Sequence, residues 1–231
     1  MRIIGKIYFF RKAWAFYPSI GYDVSMEKMM LLAHSRLVNI AIGVLLATVW
    51  ILFALNHIRA FWETGVFAFL VFCFSETLQA FFFLIRKMPK SVSVDPFDWL
   101  VGIAGTLIPL FFHPGGAVIW AHGDMLVFIG VVIQILGLMS LNRSFAIVAA
   151  KREIKTGGLY RFVRHPMYAS YLFLFSGYVL FNASLMNFIL FILALTFLFL
   201  RLIEEEKHLS ADTGYRAYKE RVRWRLIPFL F

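Results

Sequence analysis

The sequence predicts an all-α, polytopic membrane protein with about six transmembrane helices, a helical hairpin at the C-terminal end, and N- and C-termini on the cytoplasmic side. Three observations predict it. Hydrophobic residues fill 61% of the 231 positions and charged residues only 16%, with a mean hydropathy of +0.77. Uncharged or nearly uncharged runs recur at 37–55, 65–85, 97–112, 124–141, 167–181 and 185–200, each near the roughly 20 residues a bilayer span needs or somewhat short of it. Finally, six spans leave 22 of the 23 Lys and Arg on one side and Arg59 alone on the other, which makes the basic side cytoplasmic.

Taken in order, residues 1–36 form a basic, aromatic segment in which Arg2, Lys6, Arg11 and Lys12 interrupt Phe9, Phe10, Trp14 and Phe16. Those charges break it too often for a signal-peptide core, so it is expected to lie along the inner membrane surface. Four helices follow over 37–141. The third loop, with His113-Pro114-Gly115-Gly116 and Trp120, has turn chemistry and an interfacial aromatic. Residues 142–231 carry the polar clusters, and the whole chain, 1–231, is read as a single membrane domain. The net charge of +10 is mainly an orientation signal, with attraction to anionic headgroups second. Nucleic acid is not an expected partner, since no soluble domain remains to carry a binding patch.

The last two runs are separated only by Asn182-Ala183-Ser184, so they form a tight hairpin. On either side of it stand two polar clusters of opposite sign. The first is Gly157-Gly158-Leu159-Tyr160-Arg161-Phe162-Val163-Arg164-His165-Pro166-Met167-Tyr168; the second is Glu204-Glu205-Glu206. A hairpin brings both to one membrane face, where they can bracket a ligand of mixed charge. Pro166 suits the first turn of a helix and holds His165 extended. The helix end and the arginines favour a carboxylate. The competing reading makes Arg161 and Arg164 membrane anchors. Tyr168, Tyr171, Phe175 and Tyr178 share one broad helical face, which is ordinarily packing; only Tyr168, nearest the mouth, is assigned to the pocket. Three carboxylates at a helix C-terminus need cations, from Arg201 or His208 or from a ligand.

Arg164-His165-Pro166-x-Tyr168, preceded by Gly158-Leu159-Tyr160-Arg161 and followed by Glu205-Glu206-x-x-Leu209 and Tyr215-x-x-Tyr218, resembles the isoprenylcysteine carboxyl methyltransferase family and its phospholipid methyltransferase relatives. The likeness spans roughly residues 140–231 and extends to Tyr218-Lys219-Glu220-Arg221-Val222. It implies S-adenosylmethionine as methyl donor. Carried over by position, it implies cofactor contacts from Tyr160, His165, Pro166, Tyr168, Glu205 and Glu206, with Glu204 able to slide into register. Arg161 and Arg164 are the candidate catalytic clamps for a carboxylate acceptor. Ser170 stands where many relatives have glycine, which narrows any close approach there.

The acceptor implied is a lipid or lipid-anchored molecule at the bilayer, an isoprenylcysteine-like carboxylate or a phospholipid amine. Alternatives are a small thiol acceptor, a membrane NADPH-dependent reductase of the sterol type, and a noncatalytic partner that kept the fold. No metal is expected: His34, His57, His113, His122, His165 and His208 are scattered and Cys73 is intramembrane. No Gly-x-Gly-x-x-Gly fingerprint occurs. Within the second helix, Glu76 and Gln79 lie three apart on one face as candidate lining of an acceptor path. The competing reading hydrogen-bonds Glu76 to another helix, such as the one carrying Gln134.

Overall fold

A computed structural model describes residues 36–85, 91–92, 95–141, 150–151 and 156–231, with side chains over 44–82, 95–141 and 156–231. The interfacial segment expected at the N-terminus lies almost wholly outside these residues, as does much of the loop before the Arg-His-Pro box. The helices are α1 Arg36–Thr64, α2 Ala68–Ile85, α3 Pro96–Leu107, α4 Gly123–Leu141, α5 Pro166–Phe181, α6 Leu185–Leu209 and α7 Thr213–Arg221. Two short 3-10 turns, Ile108–Phe111 and Gly158–Arg161, join them, and β1 Ser91–Val92 pairs antiparallel with β2 Ala150–Lys151.

The chain divides into two compact units, Met1–Thr48 and Val49–Phe231. Of the first, the structure describes the opening turns of α1, where Thr48 donates its hydroxyl to the Val44 carbonyl at 2.9 Å. The second unit holds every feature discussed below. Each predicted apolar run has become a helix in its predicted place. Three are long and apolar enough to cross a membrane, within Val44–Thr64, Gly123–Leu141 and Leu185–Leu209. The others are shorter apolar helices, over Ala68–Phe82, Pro96–Phe111 and Pro166–Phe181.

Local chemistry sets the helix ends. Helix α1 stops at Gly65, whose φ of 71° is the left-handed conformation that glycine adopts without a steric penalty; its N-H donates to the Phe61 carbonyl at 2.8 Å. Asp95 caps α3 by accepting from the Phe97 N-H at 2.9 Å, with Pro96 in the first turn. Pro109 then removes a backbone donor, and the chain tightens into the 3-10 turn. Ser184 caps α6 by accepting from the Asn187 N-H at 3.1 Å.

Helices α4 and α5 form the closest pair. Gly123, Gly130 and Gly137 recur every seven residues on α4, and Gly177 answers from α5. A Cβ added at Gly130 would lie 2.7 Å from Leu174 Cγ and 2.9 Å from the Ser170 carbonyl oxygen; one at Gly177 would lie 2.6 Å from the Gly123 oxygen. Lipid tails are as apolar as leucine, so membrane helices associate through close packing rather than hydrophobic exclusion, and small residues permit it. Ser170 belongs to this seam. It is fully buried, and its hydroxyl returns to the Met167 carbonyl at 2.6 Å.

At the far end of the hairpin, two asparagines satisfy a loop. Asn182 and Asn187 each donate a side-chain N-H to the His113 carbonyl at 2.8 Å, and Asn182 Oδ1 accepts from the Gly116 N-H at 2.7 Å. Backbone groups at membrane depth need such internal partners. Between this knot and the opposite end lies an aromatic core around Phe72, Phe112, Phe175 and Tyr178. His57, fully buried, meets the Tyr178 hydroxyl through Nε2 at 2.8 Å and the Phe53 carbonyl through Nδ1 at 2.8 Å. The Phe175 and Tyr178 part of the aromatic stripe on α5 is therefore packing.

Candidate functional site

The site is built where α5 begins and α6 ends. Gly158 starts the approach with φ 59°, and a Cβ there would collide with the Ser140 hydroxyl; that hydroxyl also accepts from the Leu159 N-H at 3.2 Å. Only glycine fits this turn against α4. The Tyr160 carbonyl accepts from the Tyr218 hydroxyl at 2.8 Å, which ties the turn to α7. Burial pushes the Tyr218 phenol up to about 12, and burial together with the nearby Glu205 carboxylate pushes Tyr160 well above the usual range. Both therefore stay protonated donors at neutral pH. Tyr215, also buried, has no hydrogen-bond partner for its hydroxyl among the described residues.

Arg164 and His165 precede α5, His165 with φ -130° and ψ 62° rather than the extended backbone expected before a proline, and both bond the C-terminal tail: Arg164 N-H to the Trp224 carbonyl at 2.9 Å, His165 N-H to the Arg225 carbonyl at 2.8 Å. Pro166 then opens the helix. The Arg164 guanidinium donates through Nη1 to the Val222 and Arg223 carbonyls, both at 2.8 Å, and through Nε to Glu206 Oε1 at 2.7 Å. His165 Nε2 reaches the same oxygen at 3.1 Å. Glu206 Oε2 takes Arg225 Nε at 3.1 Å and stands 3.8 Å from Lys219 Nζ. One carboxylate, 5% exposed, thus holds α5, α6, α7 and the tail together. A buried charge is tolerable only with such full compensation.

Its neighbour does something else. Glu205 faces α5, where Tyr168 donates its hydroxyl to Oε2 at 2.7 Å. Arg201, one turn earlier on α6, lies 5.6 Å from the centre of the Tyr168 ring and reaches Thr106 of α3 through Nη1 at 3.4 Å. Glu205 is partly exposed, and a carboxylate has about four acceptor positions, of which Tyr168 uses one. Beside this pair opens a groove of about 410 Å³ lined by Tyr168, Leu172, Leu195, Thr196, Leu198, Phe199, Leu202 and Leu226, among others. That volume is in the range of small-molecule sites, and the lining is apolar apart from Tyr168 and Thr196. A polar pair at the edge of an apolar groove suits a ligand with one polar and one hydrophobic part.

Residues 118–216 match the phospholipid methyltransferase family model. That match covers somewhat less than half of the chain. It runs from the loop before α4 to α7 and contains the α4/α5 glycine seam, the Arg-His-Pro box and all three glutamates. The chain is thus similar, over that segment, to phospholipid methyltransferases. No curated protein matches it significantly.

Within the matched segment the structure brings Arg164, His165, Pro166, Tyr168, Glu205 and Glu206 together. The Tyr160 carbonyl bonds Tyr218 of α7 instead. Arg161 is exposed at the 3-10 turn. Glu204 turns away to pair with Lys207 at 3.1 Å, a contact whose lysine is 73% exposed and which adds little stability. Glu76 and Gln79 sit on α2, and Glu76 accepts from Gln79 Nε2 at 3.2 Å. It does not reach Gln134, whose two amide atoms are buried with no partner among the described residues.

Sequence reasoning missed Lys219 and Arg225 as partners of Glu206, and missed that Arg164 is bonded to the tail. The tail lies 19 residues from Glu206 in the case of Arg225, beyond any helical spacing. The only signal for it was the basic content of the tail itself, which the positive-inside rule had already explained.

Proposed function

We propose that the chain is an S-adenosylmethionine-dependent integral membrane methyltransferase acting on a hydrophobic or lipid-anchored acceptor, a phospholipid amine or an isoprenylcysteine-like carboxylate. The observation that carries this is the Tyr168–Glu205 pair at 2.7 Å opening on an apolar groove inside a phospholipid methyltransferase segment. The donor set fits the cofactor. Glu205 has unused acceptor positions for an ammonium or ribose hydroxyls, and the Tyr168 ring offers an apolar wall beside them. When bound, S-adenosylmethionine supplies an electrophilic methyl group on a sulfonium, and transfer to a nucleophile is an in-line displacement.

The chain's own contribution is alignment and exclusion of water. Glu205 and Tyr168 hold the donor side. His165 and Pro166 shape the start of α5 beneath it, and Tyr160 closes the turn. Glu206 and Arg164 keep this frame rigid by locking the tail onto it. Arg161, exposed on the 3-10 turn, is the candidate to hold an acceptor carboxylate or phosphate through paired hydrogen bonds. For an amine acceptor, a glutamate such as Glu205, or His165, is the candidate base for the departing proton. The basic surplus of loops and tail supports six spans in one membrane domain, both termini inside, and a site that opens to the cytoplasm.

The test is incubation of membranes containing the protein with methyl-labelled S-adenosylmethionine, beside a Glu205→Ala variant, with label separated into lipid, protein and water-soluble fractions. Variant-sensitive label in lipid supports a phospholipid acceptor; label in protein supports an isoprenylcysteine-like acceptor; a volatile product supports a small thiol. No label together with no cofactor binding overturns the proposal, and binding of NADPH in its place supports a reductase.

A further inference from the structure

Helix α2 reads AFLVFCFSETLQAFFFLI, an apolar sequence interrupted by Glu76 and Gln79. Glu76 is 6% exposed. A carboxyl at such a position costs several kcal/mol unless it makes compensating bonds, so what it holds matters. It accepts from Gln79 Nε2 at 3.2 Å. An amide has a donor end and an acceptor end; an acceptor at position 76 draws the NH2 end and leaves the oxygen facing the other way. That oxygen, Gln79 Oε1, accepts from the Tyr171 hydroxyl at 2.8 Å.

The donor direction fixes Tyr171, and Tyr171 fixes more. Its ring is stacked on Phe175 at 5.9 Å with 8° between planes. It meets the Tyr168 ring edge-on at 6.2 Å and 79°. Tyr168 is the residue whose hydroxyl donates to Glu205. A continuous series of contacts therefore runs from α2 through α5 to α6: Glu76, Gln79, Tyr171, Tyr168, Glu205. It ends at Glu205, the glutamate that meets α5 through Tyr168.

We propose that Glu76 is a positioning residue for the Tyr168–Glu205 pair, acting through Gln79 and Tyr171. Its role as an element of the methyl-donor site rests on the function proposed above. With the carboxyl in place, the Gln79 amide has one orientation, Tyr171 one hydrogen-bond direction and Tyr168 one edge to pack against. Without it the amide is released, and the orientation of Tyr168 toward Glu205 loosens.

The experiment uses the full chain in lipid nanodiscs with four variants: Glu76→Gln, which keeps an acceptor oxygen; Glu76→Leu, which removes it at similar volume; Tyr171→Phe; and the Glu76→Leu, Tyr171→Phe double. The dissociation constant for S-adenosylmethionine is expected to rise about tenfold in Glu76→Leu and in Tyr171→Phe, to rise no further in the double variant, and to stay within about twofold of wild type in Glu76→Gln. A Glu76→Leu protein with a lowered Tm but an unchanged constant overturns the proposal, as do effects that multiply in the double variant. A ligand-free reading accompanies it. Glu76→Leu combined with Tyr168→Phe should lower Tm by less than the sum of the two single shifts, although the two side chains do not touch. Strict additivity there overturns the positioning role, whereas a wild-type protein that binds no S-adenosylmethionine overturns the methyltransferase reading.

Discussion

Glu205 and Glu206 are adjacent on α6 and have opposite surroundings. Glu205 accepts from the Tyr168 hydroxyl at 2.7 Å, while Glu206 is gripped by Arg164, His165, Arg225 and Lys219. Consecutive helical residues project about 100° apart, so one meets Tyr168 on α5 and the other the tail. In the proposed function Glu205 serves the ligand and Glu206 the frame.

Glu205→Ala is expected to leave the fold intact and weaken S-adenosylmethionine binding by about 1.5–3 kcal/mol, the typical range for hydrogen bonds to a charged group. Tyr168→Phe should cost less, about 0.5–1.5 kcal/mol, because it removes one neutral donor and keeps the ring. Titration calorimetry on purified protein checks both, and equal affinities for variant and wild type would remove Glu205 from the cofactor site.

Glu206→Ala should act on stability. It strands buried Arg164 and His165, and breaking a buried ion pair by removing one partner costs about 3–5 kcal/mol. Thermal unfolding in detergent should show a large drop in Tm, with Glu206→Gln intermediate. A Glu206→Ala protein with wild-type Tm and lost binding would instead make Glu206 a ligand residue.

Gly130→Ala should destabilise the bundle, since the new methyl would stand 2.7–2.9 Å from Leu174 and from the Ser170 carbonyl. Overpacking of this kind costs about 1–3 kcal/mol. Gly157, beside which a Cβ meets nothing within 4 Å, provides the control, and comparison of Tm for Gly130→Ala and Gly157→Ala separates seam from surface.

Alkaline pH should unfold the C-terminal cluster. The Tyr218 phenol, ordinarily near 10, is held at about 12 in the folded chain, and burial raises Tyr215 and Tyr160 in the same direction. Below about pH 10 both folded and unfolded states keep the proton and the Tyr218–Tyr160 bond contributes in full. Between 10 and 12 the unfolded state releases protons that the folded state retains, so stability falls as pH rises. Tm measured across that window should decline, with a shallower decline in Tyr218→Phe from a lower starting value.

Much of this was legible in order along the chain. Hydropathy runs located α1 to α6, since burial in lipid demands continuous apolar sequence, and Pro166, Asn182 to Ser184 and the glutamates located the hairpin and its polar ends. The spacing of Gly123, Gly130 and Gly137 was visible too, yet its meaning depends on which helix lies opposite. Likewise, three consecutive glutamates are equivalent as letters. Helical rotation sends Glu204 to Lys207, Glu205 to Tyr168 and Glu206 to the arginines, and only the placement of α5 and the tail distinguishes them.

By itself, then, the sequence determined the class, the helix positions and the chemistry gathered at one end of the hairpin, because hydrophobicity, proline and charge act locally or through the bilayer. The tertiary structure decided that Arg164 and Glu206 form a clamp on the tail, that Glu205 accepts from Tyr168, and that Glu76 reaches Tyr171 through Gln79. Those contacts join residues from 3 to 92 positions apart, and hydrogen-bond direction, burial and helix rotation exist only once the helices have packed.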